Sequence, residues 1–406
     1  MVEGGAIIKF LQLAKQGIRK LVNEAKQLDQ AMTNLRIVTG ANRDEASAMM
    51  SSYNKLAKEL GATTKEVAAS ANEWLRQGYE AAEVNDLVTA SMHLSKLGMI
   101  DSTTATKDLT SAIKGFKLEA SEAMSVVDKL TSLDLKAATT AGDIAEGLAQ
   151  FANLGSLSGV DIDQASAYVA TIADVTQKSG SSVGQAMKTI LSRFGNVKAG
   201  AFNKINLDEE NGDTTEKLND VERVLNKLGI SMRDTNLQFK DFDEVLDEIA
   251  EKWDSLDNVS KKAIANAFAG IRQQESFVTL MENYDKYQEL LDTSRNSAGT
   301  AETKYEAYKD SLQAATAGLT AAWEKIVDDA EINNLLKDLT KALTWLVEQI
   351  PEIIKHLPSI LSAVNAIAAT QGKSLLQVGG KYLGNMLGDT LFGQNGIASK
   401  SKAGMN

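Results

Sequence analysis

Proline is absent from the first 350 residues of this 406-residue chain and occurs only at Pro351 and Pro358. With the strongest helix breaker missing, no residue in that span forbids a helix from running on. Paired hydroxyl residues recur within it, at Thr63-Thr64, Thr103-Thr104, Thr139-Thr140 and Ser181-Ser182, and each pair precedes a segment with apolar residues at helical period. A hydroxyl oxygen can accept from the first exposed N–H groups of a helix, so these pairs read as helix starts. Their intervals of 40, 36 and 42 residues each fit two helices and two turns. A hairpin of that size cannot bury its apolar face alone and has to stack on a neighbour or a partner.

From Asp44 to about Gly200 the pattern is helix after helix, punctuated by glycines such as Gly61, Gly78, Gly98 and Gly195 that suit helix ends. Thr63 with Glu66 has the spacing of a capping box, Thr140 with Asp143 fits a shorter version, and the Thr103 pair has no acidic partner at that spacing. The apolar positions after each pair drift by a residue, which favours loosely related hairpins over a strict solenoid. One departure from helix is expected, a small β-hairpin over 229–239, where apolar and polar residues alternate around Asp234-Thr235-Asn236.

Three apolar seams lie outside the hairpins. The first runs Ile7, Leu11, Ala14, Ile18, Leu21, Ala25, Leu28, Met32 and Leu35 at 4-3 spacing, a coiled-coil pattern that also suits an amphipathic helix on its own core. The second runs Tyr305, Tyr308, Leu312, Ala315, Leu319, Ala322 and Ile326. As self-association seams these predict a homo-oligomer. The third includes Leu336, Leu343, Leu346, Ile350, Ile353, Leu357 and Ile360, followed by Gly380, Gly384 and Gly388 at four-residue spacing. Residues 356–372 carry no formal charge, but Ser359, Ser362, Asn365 and Gln371 dilute the run below what a spanning helix needs. This stretch reads as a face for a membrane or a partner, or as plain core packing.

Several longer blocks resemble phage tail tape-measure proteins: Tyr53 to Thr64, Glu73 to Tyr79, Leu97 to Ser102, Ala141 to Leu148, Asp174 to Ser179, and Ala267-Phe268-Ala269-Gly270-Ile271-Arg272-Gln273. They occur in one order between about Leu28 and about Ile326. The resemblance implies a non-catalytic structural protein of the virion that lies in the lumen of the tail tube, sets tube length and leaves ahead of the DNA, with the host cytoplasm as its place during assembly. It implies as partners the tail tube protein, tail assembly chaperones and distal tail or baseplate proteins, and contact with the host membrane on ejection.

Composition excludes some alternatives. The net charge is −11, and between Asp208 and Asp254 alone there are 15 acidic and 6 basic residues. No basic face of any length exists, so specific nucleic-acid binding is not expected. Cysteine is absent, which removes disulfides and thiolate metal sites. The two histidines, His93 and His356, sit far apart in apolar-periodic sequence and read as structural, so no catalytic residue, cofactor or metal site is expected. The first residues, Met1-Val2-Glu3-Gly4-Gly5, lack a basic region ahead of an apolar one, and no secretory signal is expected.

The expected fold is all-α, an elongated bundle of helical hairpins with coiled-coil-like arms. Its expected segments are a heptad helix at 1–39, a helical-hairpin core at 40–200, an acidic helical region with the β-hairpin at 201–300, a heptad helix at 301–330, and an amphipathic apolar segment with a Gly-rich tail at 331–406. Two other readings share these features, an α-helical scaffold outside any virion and a membrane-active pore-forming protein.

Overall fold

The computed structural model describes Asn23 and residues 25–196, 219–235 and 238–327. Gln30–Lys325 forms one compact unit, and the fold is all-α. Helix α1 covers residues 25–39. It is followed by α2 (Arg43–Glu59), α3 (Thr64–Arg76), α4 (Ala81–Leu97), α5 (Ser102–Gly115), a 3-10 turn (Ala120–Glu122), α6 (Ala123–Asp134), α7 (Ala141–Leu157), α8 (Ile162–Thr176) and α9 (Gly180–Phe194). The second half comprises α10 (Asp220–Lys227), α11 (Phe242–Trp253), α12 (Asn258–Glu282), α13 (Tyr284–Arg295), α14 (Thr300–Lys309) and α15 (Leu312–Val327).

Helix starts set the register of the first half. The N-cap residues of α3, α5, α7 and α9 are Thr63, Asp101, Thr140 and Ser179, at intervals of 38, 39 and 39 residues. Thr63 and Glu66 form the expected capping box, and Thr140 accepts from Asp143 N at 3.0 Å. At the other two sites the hydroxyl pair lies inside the first turn. The Asp101 carboxylate takes the N–H groups of both Thr103 and Thr104 at 3.0 Å, and Ser179 caps α9 ahead of Ser181-Ser182. A carboxylate satisfies two orphan donors at once, so it takes precedence over the hydroxyls beside it. The repeat is therefore more regular than the hydroxyl pairs suggest.

That register builds a stack. Helices α3, α5, α7 and α9 pack in succession in one row, and α4, α6 and α8 in a second row against them. Within the first row α7 and α9 come into close contact, where a Cβ placed on Gly184 would lie 2.3 Å from the carbonyl oxygen of Gly147. Only hydrogen fits there, so the two backbones are in contact.

The second half then runs back along the stack. Helix α12 packs on α9 and α8, α13 on α8 and α6, and α14 on α6 and α4. Helix α15 reaches α2 and α3, with Ala321 O accepting from Asn54 Nδ2 at 2.7 Å and the Glu324 carboxylate accepting from Thr64 N at 2.6 Å. Near the turn-around, Phe194, Phe242, Phe268 and Phe277 are buried and in ring contact, joining α9, α11 and α12. Each such ring contributes roughly 2–3 kcal/mol through burial alone.

Buried polar groups pin the returning helices at each step. Asp243 accepts from Tyr168 Oη, Tyr287 Oη and Gln164 Nε2, which ties α11 to α8 and α13. Burial, reinforced by that carboxylate, pushes the Tyr287 hydroxyl well above the usual tyrosine range. Asp128 of α6 accepts from Gly299 N at 3.0 Å and Ala301 N at 2.8 Å, so it caps α14 from a different helix.

Two sequence expectations change. The β-hairpin is reduced to one antiparallel bridge between Arg233 and Phe239, flanked by Asp234 N to Gln238 O and Lys240 N to Met232 O, both 2.9 Å. Too few residues pair there to make a strand, and no strand occurs among the described residues. The heptad helix expected over 301–330 is broken at Asp310-Ser311 into α14 and α15. The break lets Tyr305 and Tyr308 turn inward, where their hydroxyls donate to Leu60 O at 2.7 Å and Gly61 O at 2.9 Å.

Candidate interaction site at the helix kink

Helix α12 is capped by Asp257, whose side chain accepts from Val259 N and Ser260 N, and it is broken in the middle by Gly270. Gly270 has φ 64° and ψ 176°, a conformation that residues with a Cβ essentially do not adopt. A break frees the last carbonyls of the preceding turns. Arg193, at the end of α9, takes two of them: Nε donates to Ala267 O at 2.6 Å and Nη2 to Asn266 O at 3.3 Å. A guanidinium at a helix C-terminus also meets the negative end of the dipole. Phe268, one residue further on, is fully buried, whereas Ile271 just past the kink is 80% exposed.

Beside the kink α9, α10 and α12 enclose a groove of about 750 Å³, lined in part by Arg193, Asp220, Arg223, Lys227 and Asn266. Arg223 pairs with Asp220. With three cationic side chains and one carboxylate, this groove can hold an acidic group. Among the described residues that line it there is no nucleophile and base pairing of the kind covalent or acid–base chemistry needs. Among the described residues no group of three or more acidic or histidine side chains could hold a metal ion, and no helix is long and apolar enough to cross a membrane.

The sites expected from sequence fall elsewhere. Of the first seam, Leu28 and Leu35 are buried, at 2% and 1% exposure, whereas Ile7, Leu11, Ile18 and Leu21 lie outside the described residues. In the second seam Tyr305 is buried, Leu312 and Leu319 are 81% and 72% exposed, and Ile326 lies in the last turn of α15. Helix α15 instead turns Ala314 and Ala321 inward. Leu336, Leu343, Leu346, Ile350, Ile353, Leu357, Ile360, Gly380, Gly384 and Gly388 lie outside the described residues, as does His356. Sequence reasoning did not single out Arg193 or Gly270 as a pair. The available signal was a glycine interrupting the apolar run Ala267-Phe268-Ala269.

The stack of α3 to α9 lies within the span that comparison with known proteins matches. The family of phage-related minor tail proteins matches residues 54–270, more than half of the chain, from the middle of α2 to the kink itself. The chain belongs to this family. A relative in Pneumococcus phage Dp-1, described as a tape measure protein, is 19% identical over 338 residues. The alignment covers 81% of this chain and 28% of that relative, so this tail-family chain spans little more than a quarter of the other's length. No solved structure matches.

Proposed function

We propose that this chain is a non-enzymatic core region of a tail tape-measure protein, which templates the length of a tail tube and is released ahead of the DNA during genome injection. The supporting observation is that the tail-protein family match spans the whole stack up to Gly270 while a relative named for this role aligns over most of the chain. On this reading the protein resides in the lumen of the tail tube and passes through the host cytoplasm during assembly. Its partners are the tube protein, assembly chaperones and the distal tail or baseplate. Further copies of the chain meet at the seam that includes Leu312 and Leu319. The amphipathic stretch from Leu336 to Gly388 is the face offered to a partner or to the host membrane on ejection.

Geometry sets how such a ruler could count residues. Stacked helices advance by about 10 Å per layer, whereas helices laid end to end advance by about 1.5 Å per residue. A tape built from this stack can template length either with its helices stacked or with them laid out. Deleting residues 101–139, one repeat of the stack, tests this in phage particles viewed by electron microscopy. The expected shortening is roughly 60 Å if the helices lie end to end and about 10 Å if they stay stacked. Tails of unchanged length would remove the templating role.

A further inference from the structure

His93 is 1% exposed on α4 and lies flat against the ring of Tyr305 from α14, the ring centroids 3.7 Å apart and the planes 19° from parallel. Its two ring nitrogens both face acceptors. Nδ1 is 2.9 Å from the carbonyl oxygen of Thr89, and Nε2 is 3.0 Å from the Glu302 carboxylate. A carbonyl oxygen can only accept, so Nδ1 carries hydrogen. A neutral imidazole then presents its lone pair at Nε2 to a carboxylate, which is repulsive. Both contacts are satisfied only when the pair holds one proton more than a neutral imidazole and an ionised carboxylate possess.

We infer that His93 and Glu302 form a proton-dependent latch that fastens α14 to α4, and that loss of the proton weakens the docking of α14 on the stack. The charged groups around the latch do not supply a substitute. Lys309 of α14 lies 3.8 Å from the other oxygen of Glu302 but is engaged by Glu306 at 2.8 Å. Lys96 of α4 is paired with Glu66 of α3 at 2.6 Å. Glu59 of α2 lies within electrostatic reach of Lys309, and Asp128 of α6 is occupied by the first N–H groups of α14. Tyr305 and Tyr308 present hydroxyls that burial keeps protonated. Among these groups Glu59, Glu66, Asp128, Glu302 and Glu306 outnumber Lys96 and Lys309.

The sign follows from proton linkage. With α14 docked both ring nitrogens face acceptors and the pair needs its extra proton, and with α14 released that need ends. The docked state therefore binds more protons, and docking weakens as pH rises, by up to about tenfold in the opening constant per pH unit. Amide hydrogen exchange of the intact protein, corrected for intrinsic rates, tests this between about pH 6 and about pH 9. Protection in α14 is expected to fall by tenfold or more relative to α8. His93→Phe, which keeps the stacking surface, and Glu302→Gln, at a side chain that is 57% exposed, are each expected to abolish the difference. Nitrogen-15 NMR of His93 at pH 6 is expected to show hydrogen on both ring nitrogens. Equal pH dependence of α14 in parent and either variant, or a single ring N–H at pH 6, would overturn the latch.

Discussion

Arg193 donates through Nε to the carbonyl of Ala267 at 2.6 Å, so the end of α9 closes the end of a half-helix that Gly270 has cut short. Arg193 and Gly270 are 77 positions apart in sequence, and each accounts for the other. Without the kink those carbonyls would accept from residues 270 and 271 within α12. Without the guanidinium the kink would leave them short of partners.

Gly270→Ala is expected to destabilise the protein by about 1–3 kcal/mol, because a Cβ is not tolerated at its φ and ψ. Arg193→Lys keeps the charge but cannot fork to two carbonyls, and about 1 kcal/mol should be lost. Urea unfolding checks both. Equal midpoints for parent and Gly270→Ala would mean that the kink carries no strain.

The contact of α7 with α9 predicts a steeper response. Gly184→Ala puts a methyl 2.3 Å from Gly147 O, and a backbone oxygen cannot rotate away as a side chain would. Separating two packed helices to admit it should cost about 2–3 kcal/mol. A thermal midpoint unchanged within error would show that α7 and α9 can move apart freely.

Asp108 on α5 carries a charge that the fold tolerates poorly. One of its oxygens is buried without a hydrogen-bond partner. Burial, with repulsion from Glu146 and Asp101 and partial relief from Lys107, pushes its carboxyl up to about 6 from the usual 3.8. The native state thus holds a proton that the unfolded chain has already released, so stability drops as pH rises from about 4 to about 6 and stays low above that. Asp108→Asn should be more stable than the parent by about 1 kcal/mol at pH 7 after allowance for solvent screening, and equal to it near pH 4. Stability curves at the two pH values decide it, and a gain that persists at pH 4 would have another origin.

Exposed leucines on α15 give the self-association seam a test that leaves the core alone. Leu312→Asp with Leu319→Asp alters side chains that are 81% and 72% exposed while Ala314 and Ala321 keep the helix docked. The double variant should fold as before and have lower mass by light scattering, since a charge cannot be buried unpaired in a helix seam. Identical mass in variant and parent would remove Leu312 and Leu319 from any oligomer contact.

Local rules carried much of the architecture. Absence of proline, the Thr63–Glu66 box and the Thr140 cap announced helices, and the helices form there. The same rules misplaced two starts, because Asp101 and Ser179 compete for the same N–H groups as the hydroxyl pairs that follow them. They also missed the turn inward at Tyr305. A seam of period seven records which side chains are apolar, and it does not say whether a helix of the same chain or of another will cover them.

By itself, then, the sequence determined an all-helical chain, about 40 residues per hairpin, without thiol chemistry or a long basic face. Those properties depend on φ restriction, capping and charge, which act over a few neighbouring residues. Tertiary structure alone decided that the second half returns along the first, that Gly270 and Arg193 complete each other, and that His93 meets Glu302 across 209 positions. Such pairings reflect close packing between distant segments, where shape and the need to satisfy every buried polar group select one partner among many that composition allows.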